Sequence, residues 1–154
     1  MKNLAAEAPQ EDADKATPVT GGCICGGVRY EVSDRSKLRQ VIACHCEQCR
    51  RFSGHFVAAS GARYEHFTWL NDETLRWYAY RPNIRQGFCG ECGCSLFFDY
   101  PKGSRLSIAA GSLDDSSGIS IVAQIYCAEA GQYYQVSQEG EMVDGGNVSV
   151  ACPD

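Results

Sequence analysis

Residues 87–98 read GFCGECGCSLFF. Cys89 and Cys92 stand two residues apart, and Gly90 and Gly93 let backbone N–H groups approach the sulfurs, a turn suited to gripping one ion. Ser95–Tyr100 follows at once with the aromatic content of a strand. A metal-ligand turn that opens onto a strand sets the terms for reading the rest of the chain.

Outward from this stretch, short apolar or aromatic runs are broken by Gly, Asn and Asp: Gly27–Val32, Gln40–Ala43, Phe56–Ala59, Thr74–Ala79, Leu106–Ala110, Ile119–Cys127 and Gln132–Val136. They predict a mostly β domain of short strands. Apolar residues at i, i+3, i+4 are not sustained anywhere, and only Cys46–Ser53 reads as a modest helical turn. Residues 1–19, rich in Ala, Glu and Asp with Pro9 and Pro18, read as a disordered leader. Residues 20–137 form the predicted domain, and the Gly-rich 138–154 a loosely structured tail.

At 154 residues, 44% hydrophobic and 21% charged, the chain can bury its own core without disulfides. Its net charge of −5 argues against nucleic acid, whose phosphates are neutralised by many Lys and Arg. No stretch approaches the ~18 consecutive apolar residues of a membrane span, and MKNLAAEAPQEDADKATPVT lacks the apolar run of a secretory signal. These features predict a cytoplasmic location with no membrane partner. Ten cysteines in a reducing compartment then call for metal ligation.

Eight of the ten fall into three groups: Cys23 and Cys25; Cys44, Cys46 and Cys49; and Cys89, Cys92 and Cys94. Cys23, Cys25, Cys89 and Cys92 would close one tetrahedral site. Cys44, Cys46 and Cys49 would then hold a second ion with one position open to water or a substrate thiolate, as catalysis needs. The alternative is that both sites are closed, with Cys94 or His45 completing the second. Cys127 and Cys152 read as buried or incidental thiols.

In this order and spacing, GGCICGGVRY (21–30), CHCEQCRRFSG (44–54), GFCGECGCSLFF (87–98) and GSLDD (111–115) resemble the glutathione-dependent formaldehyde-activating enzyme family, also called centromere protein V-like, over about residues 20–135. The resemblance implies a β-tent of antiparallel strands with two zinc ions per chain. It assigns the structural ion to Cys23, Cys25, Cys89 and Cys92, the catalytic and more labile ion to Cys44, Cys46 and Cys49, and Cys94 to neither. It also implies a carbon-sulfur lyase that joins glutathione to formaldehyde as S-hydroxymethylglutathione. QIYCAEAGQYY places Gln124 and Tyr133 where the family often has His and Trp, a departure that bears on substrate identity.

Electron-rich thiolate ligation suits holding a substrate thiolate more than generating hydroxide. Arg50 and Arg51, next after the third ligand, are candidates to favour an anionic substrate or pair with glutathione carboxylates. His45 is expected to point away from the ion on an extended segment. His55 and His66 read as surface or core residues. Phe52, Phe56, Phe88, Phe97, Phe98 and Tyr100 are expected in the core, some walling the site, and Tyr126, Tyr133 and Tyr134 in the core. A noncatalytic zinc module that binds a protein partner is the competing functional reading.

Overall fold

The computed structural model describes residues 17–154. Most of the expected leader therefore lies outside the described residues. Its last member, Val19, already opens the first strand and is buried, because it pairs with Val32 and contributes to the core.

Eleven strands occur among the described residues: β1 (Val19–Gly22), β2 (Arg29–Val32), β3 (Val41–Cys44), β4 (Val57–Arg63), β5 (Phe67–Asn71), β6 (Leu75–Arg81), β7 (Ile84–Cys89), β8 (Ser95–Asp99), β9 (Arg105–Ala109), β10 (Ile121–Ile125) and β11 (Glu141–Met142). One helix, α1 (Glu47–Ser53), follows β3. Strands β1, β2 and β5 form a small antiparallel sheet. The larger sheet runs β11-β10-β3-β4-β9-β8-β7-β6, antiparallel except where β10 lies parallel to β3 and β11. The mostly β architecture expected from the sequence is the one observed.

Alternation explains how the sheets meet. On β2, Tyr30 and Val32 point inward while Arg29 and Glu31 are half exposed. Tyr30 stacks on Phe67 at 5.2 Å and meets Phe97 edge-on at 5.4 Å, so the core is shared between the two sheets. Val28, Ala62, Leu96, Leu106 and Ile108 complete it. Gly21 allows the close approach: a Cβ there would lie 2.3 Å from the Tyr30 hydroxyl. The GSLDD segment clamps this hairpin, since Ser112 hydrogen-bonds the Tyr30 hydroxyl at 2.7 Å and Asp114 takes a 3.0 Å bond from Arg29.

Three sequence expectations change. Gln132–Val136 is not a strand; its aromatic residues sit in a turn and meet histidines. Strands β1, β5, β7 and β11 were not anticipated. The tail is less loose than expected, because β11 joins β10 and Cys152 is buried.

Leu106 is fully buried, whereas Tyr78 is 58% exposed on the edge strand. Leu106→Ala should lower the unfolding free energy of metal-loaded protein by ~2–5 kcal/mol. Tyr78→Ala should stay within ~0.5 kcal/mol. Chemical denaturation measures both.

Candidate metal centre

Cys23 and Cys25 lie in the loop between β1 and β2, Cys89 ends β7, and Cys92 lies in the turn that leads to β8. Their four sulfurs lie within 4.8 Å of one another and could hold a metal ion. The Cys23–Cys25 and Cys25–Cys89 sulfur separations are 3.5 and 3.6 Å. A tetrahedral ion with bonds of ~2.3 Å sets its sulfurs ~3.8 Å apart, whereas a disulfide needs ~2.05 Å. All ten cysteines are free. The local fold aims donors at these sulfurs: the Val28 amide at Cys23 (3.2 Å), the Cys92 amide at Cys89 (3.5 Å) and the Thr74 hydroxyl beside Cys89 (3.1 Å).

The protons are shared unevenly in this cluster. The amides of Cys94 and Cys25 pull Cys92 down to about 5. At Cys25 the Gly27 amide acts downward, but the sulfurs of Cys23, Cys89 and Cys92 outweigh it and push the thiol up to about 12. Such crowding favours a cation that can replace the protons.

Cys44 ends β3, Cys46 caps α1, and Cys49 lies in its first turn, so six consecutive residues bring three sulfurs within 4.8 Å. The Cys46 sulfur accepts from the Cys49 amide at 3.4 Å and lies 3.6 Å from Cys44. Donation from Cys44, then Cys49 and the first-turn amides, pulls Cys46 down to about 2. The reciprocal contact with Cys46 raises Cys44 to about 12, and Cys49 is raised by its sulfur neighbours and by burial. Gly54 closes the helix in the left-handed region at φ 81°, its N–H bonding the Arg50 carbonyl.

His45 points away from these sulfurs into a buried relay. Its Nε2 lies 2.8 Å from Gln124 Oε1 and its Nδ1 2.7 Å from the Tyr134 hydroxyl. The Gln124 amide nitrogen donates to the Glu139 carbonyl, which turns Oε1 toward the ring. Nε2 therefore carries the proton, and Tyr134 donates to Nδ1.

On the open side the trio lines a cleft of about 950 Å³ with Phe52, Phe56, Phe98 and Tyr126. Tyr126 has φ 56°, the only non-glycine residue with positive φ among the described residues. Such strain, ~1 kcal/mol, persists where the surrounding structure fixes it, as at sites where a side chain has a task. Its hydroxyl hydrogen-bonds no described residue. Burial, reinforced by Cys44 and Cys46, raises its pKa, so it remains a donor.

The sequence profile of the Glutathione-dependent formaldehyde-activating enzyme family matches residues 18–129. The chain belongs to that family. It is also similar to an uncharacterized lyase of Schizosaccharomyces pombe, 31% identical over 85 residues, which cover 54% of this chain and 58% of the relative. The chain thus matches a little over half the length of that curated relative. A crystal structure of a Rhodobacter sphaeroides protein shares the fold at TM-score 0.52 and 23% identity, covering 66% of this chain and 90% of the other.

In this family member the two arginines after the trio diverge. Arg51 lines the cleft but is tied to Glu47 at 2.8 Å, whereas Arg50 is not part of the lining and its buried Nε has no partner among the described residues. Gln124 and Tyr133, the departures from the family's frequent residues, do not line the cleft either; Gln124 holds His45 and Tyr133 bonds His55 at 3.0 Å. Tyr133 is 64% exposed, and Tyr126 walls the cleft, so neither is a core residue. Phe97 is core, whereas Tyr100 is exposed at the cleft. His66 sits 3.8 Å from Glu65. Cys94 lies outside both sulfur groups, Cys127 bonds the Gln124 carbonyl at 3.4 Å, and Cys152 is buried. Sequence reading missed Tyr126, whose backbone strain has no sequence signature.

Because Cys44 and Cys49 hold their protons above the ordinary thiol range, metal entry at the trio must displace them. Zinc titration of metal-free protein should release protons, and affinity should rise with pH. Calorimetry in buffers of different ionisation enthalpy reads both.

Proposed function

We propose that this chain is a zinc-dependent carbon-sulfur lyase acting on the adduct of glutathione, or a related thiol, with formaldehyde or another small aldehyde in a reducing, cytoplasm-like compartment. The observation that carries the reading is the cysteine trio at the wall of the cleft, three sulfurs with no fourth protein ligand among the described residues. The family membership and the lyase-named relative support it.

The donor set fits zinc: four sulfurs for a closed structural site, three for an open one. Cys23, Cys25, Cys89 and Cys92 would hold the first ion, and Cys44, Cys46 and Cys49 the second. When bound at the trio, zinc supplies a Lewis-acidic position that favours a substrate thiol in its thiolate form. Phe52, Phe56 and Phe98 thin the water around the reacting sulfur, which strengthens electrostatic contacts there. The Tyr126 hydroxyl is free to donate to the aldehyde oxygen as negative charge develops on it, and to withdraw that proton in the reverse direction. Tyr134, His45 and Gln124 keep the Cys44–Cys46 segment in place from behind.

The two sulfur groups should respond differently to mutation. Cys46→Ser should remove one zinc of two and abolish turnover while the far-ultraviolet spectrum is retained. Cys23→Ser should compromise folding, because structural zinc contributes its binding energy to stability. Metal analysis with thermal unfolding separates the two; equal unfolding of both variants would sink the division, and two equally tight ions would favour a noncatalytic module.

Turnover must be read as exchange between thiol, formaldehyde and adduct above the spontaneous rate. Tyr126→Phe should lower kcat by about 100-fold with zinc content unchanged. A rate equal to the parent's would remove Tyr126 from the chemistry.

A further inference from the structure

Arg39 precedes β3 and is only 8% exposed. Its Nη2 donates to the carbonyls of Ala59 at 3.0 Å and Ser60 at 2.8 Å, and its Nε has no partner among the described residues. No carboxylate stands against it: the ion pairs of the described arginines involve Arg29, Arg35, Arg51, Arg63 and Arg85. The side chains that act on its charge are the like-charged Arg105 and the thiol of Cys152. A buried guanidinium satisfied only by carbonyls and facing a second cation is an uncompensated charge, which is costly away from water. An anion arriving from outside removes that cost.

Arg39 and Arg105 both line the cleft that holds Cys44, Cys46 and Cys49. Ala59 pairs with Ile42 and Val57 with Cys44, so two strand residues, ~7 Å, separate the guanidinium's carbonyl partner from the level of the trio. In glutathione the glycine carboxylate ends the residue after cysteine, about two residue lengths or ~7 Å from the sulfur when extended.

We propose that Arg39, with Arg105 beside it, forms a carboxylate-binding subsite of the cleft that selects thiols carrying a carboxylate one residue beyond the cysteine. The proposal rests on the glutathione reading above and names the group that selects the substrate. Because Nη2 already holds the Ala59 and Ser60 carbonyls, a carboxylate would meet the remaining N–H groups of the guanidinium, and a lysine ammonium, which lacks that planar spread of donors, is an imperfect substitute.

The test uses the full zinc-loaded chain and calorimetric binding of S-methylglutathione, a thioether that neither becomes a thiolate nor turns over. Its partner probe is the same molecule with the glycine carboxylate converted to an amide. The parent should bind the carboxylate form at least tenfold more tightly. Arg39→Met should erase that preference, and Arg39→Lys should keep part of it. If Arg39→Met does not fold, Arg105→Met, at an exposed strand start, should reduce the preference, and the comparison of the two probes on the parent stands without any variant. Equal binding of both probes by the parent, or no binding of either, overturns the subsite. A preference that Arg39→Met leaves intact overturns it too, while leaving glutathione as substrate. Discriminating binding without turnover above background would instead overturn the lyase and leave the subsite.

Discussion

Four sulfurs within 4.8 Å of one another bring together the turns of two sheets that also meet through side-chain packing, the GSLDD clamp, a bridge from Gly21 to Leu113 and a backbone bond from Thr74 to the Gly27 carbonyl. Cys23 and Cys25 come from the small sheet's hairpin, Cys89 and Cys92 from the large sheet's, and 64 residues separate Cys25 from Cys89. Four thiolates so close repel by ~4 kcal/mol per pair at 4 Å and an effective dielectric near 20. Protons relieve the repulsion incompletely, leaving Cys92 low and Cys25 high. A divalent cation would relieve it fully and close a long loop at the same time, which is why the shared core of Tyr30, Phe97 and Leu106 would depend on it.

The trio uses the same residue type for a different end. Cys44, Cys46 and Cys49 are supplied by one short segment, so gathering them closes no long loop and links no distant elements. Loss of an ion there would leave the sheets joined. What the trio needs is a rigid seat, and it has one: β3 anchors Cys44 between β4 and β10, the capped helix α1 fixes Cys46 and Cys49, and the buried His45 is held at both ring nitrogens. An ion held there could exchange a fourth ligand without loosening the fold, under the proposed division between the two sulfur groups.

The cysteine groups were legible because their spacing is itself the geometry: a C-x-x-C turn brings its sulfurs together wherever it occurs. Strand existence was legible where β-branched and aromatic residues alternate, as in Leu75–Arg81. Ile84–Cys89 was hidden because Arg85, Gln86 and Gly87 resemble a turn; only the flanking strands β6 and β8, paired on either side, show that they form a central strand. Gln132–Val136 erred the other way, since Tyr133 and Tyr134 carry strand propensity but serve His55 and His45 through their hydroxyls. The roles of Arg50 and Arg51 depend on which face of a seven-residue helix meets the cleft, and adjacency in sequence cannot tell them apart. Arg39 gave no signal at all, because a charge is conspicuous only once its burial and missing counterion are known.

These placements also relocate the question of substrate. Gln124 and Tyr133, where relatives often carry other residues, stand behind and beside the trio and are not part of the cleft lining. Exchanging them retunes how firmly His45 and His55 are held, which acts on the seat of the trio and not on the shape offered to a ligand. The walls that a ligand meets include Phe52, Phe56 and Phe98 as well as the cations Arg39 and Arg105, while Arg51, the lining cation on α1, is already engaged by Glu47. An anionic group on the substrate is therefore better accommodated away from the reacting sulfur than next to it. Under the proposed lyase reading, that arrangement would leave the space around Tyr126 to the small aldehyde.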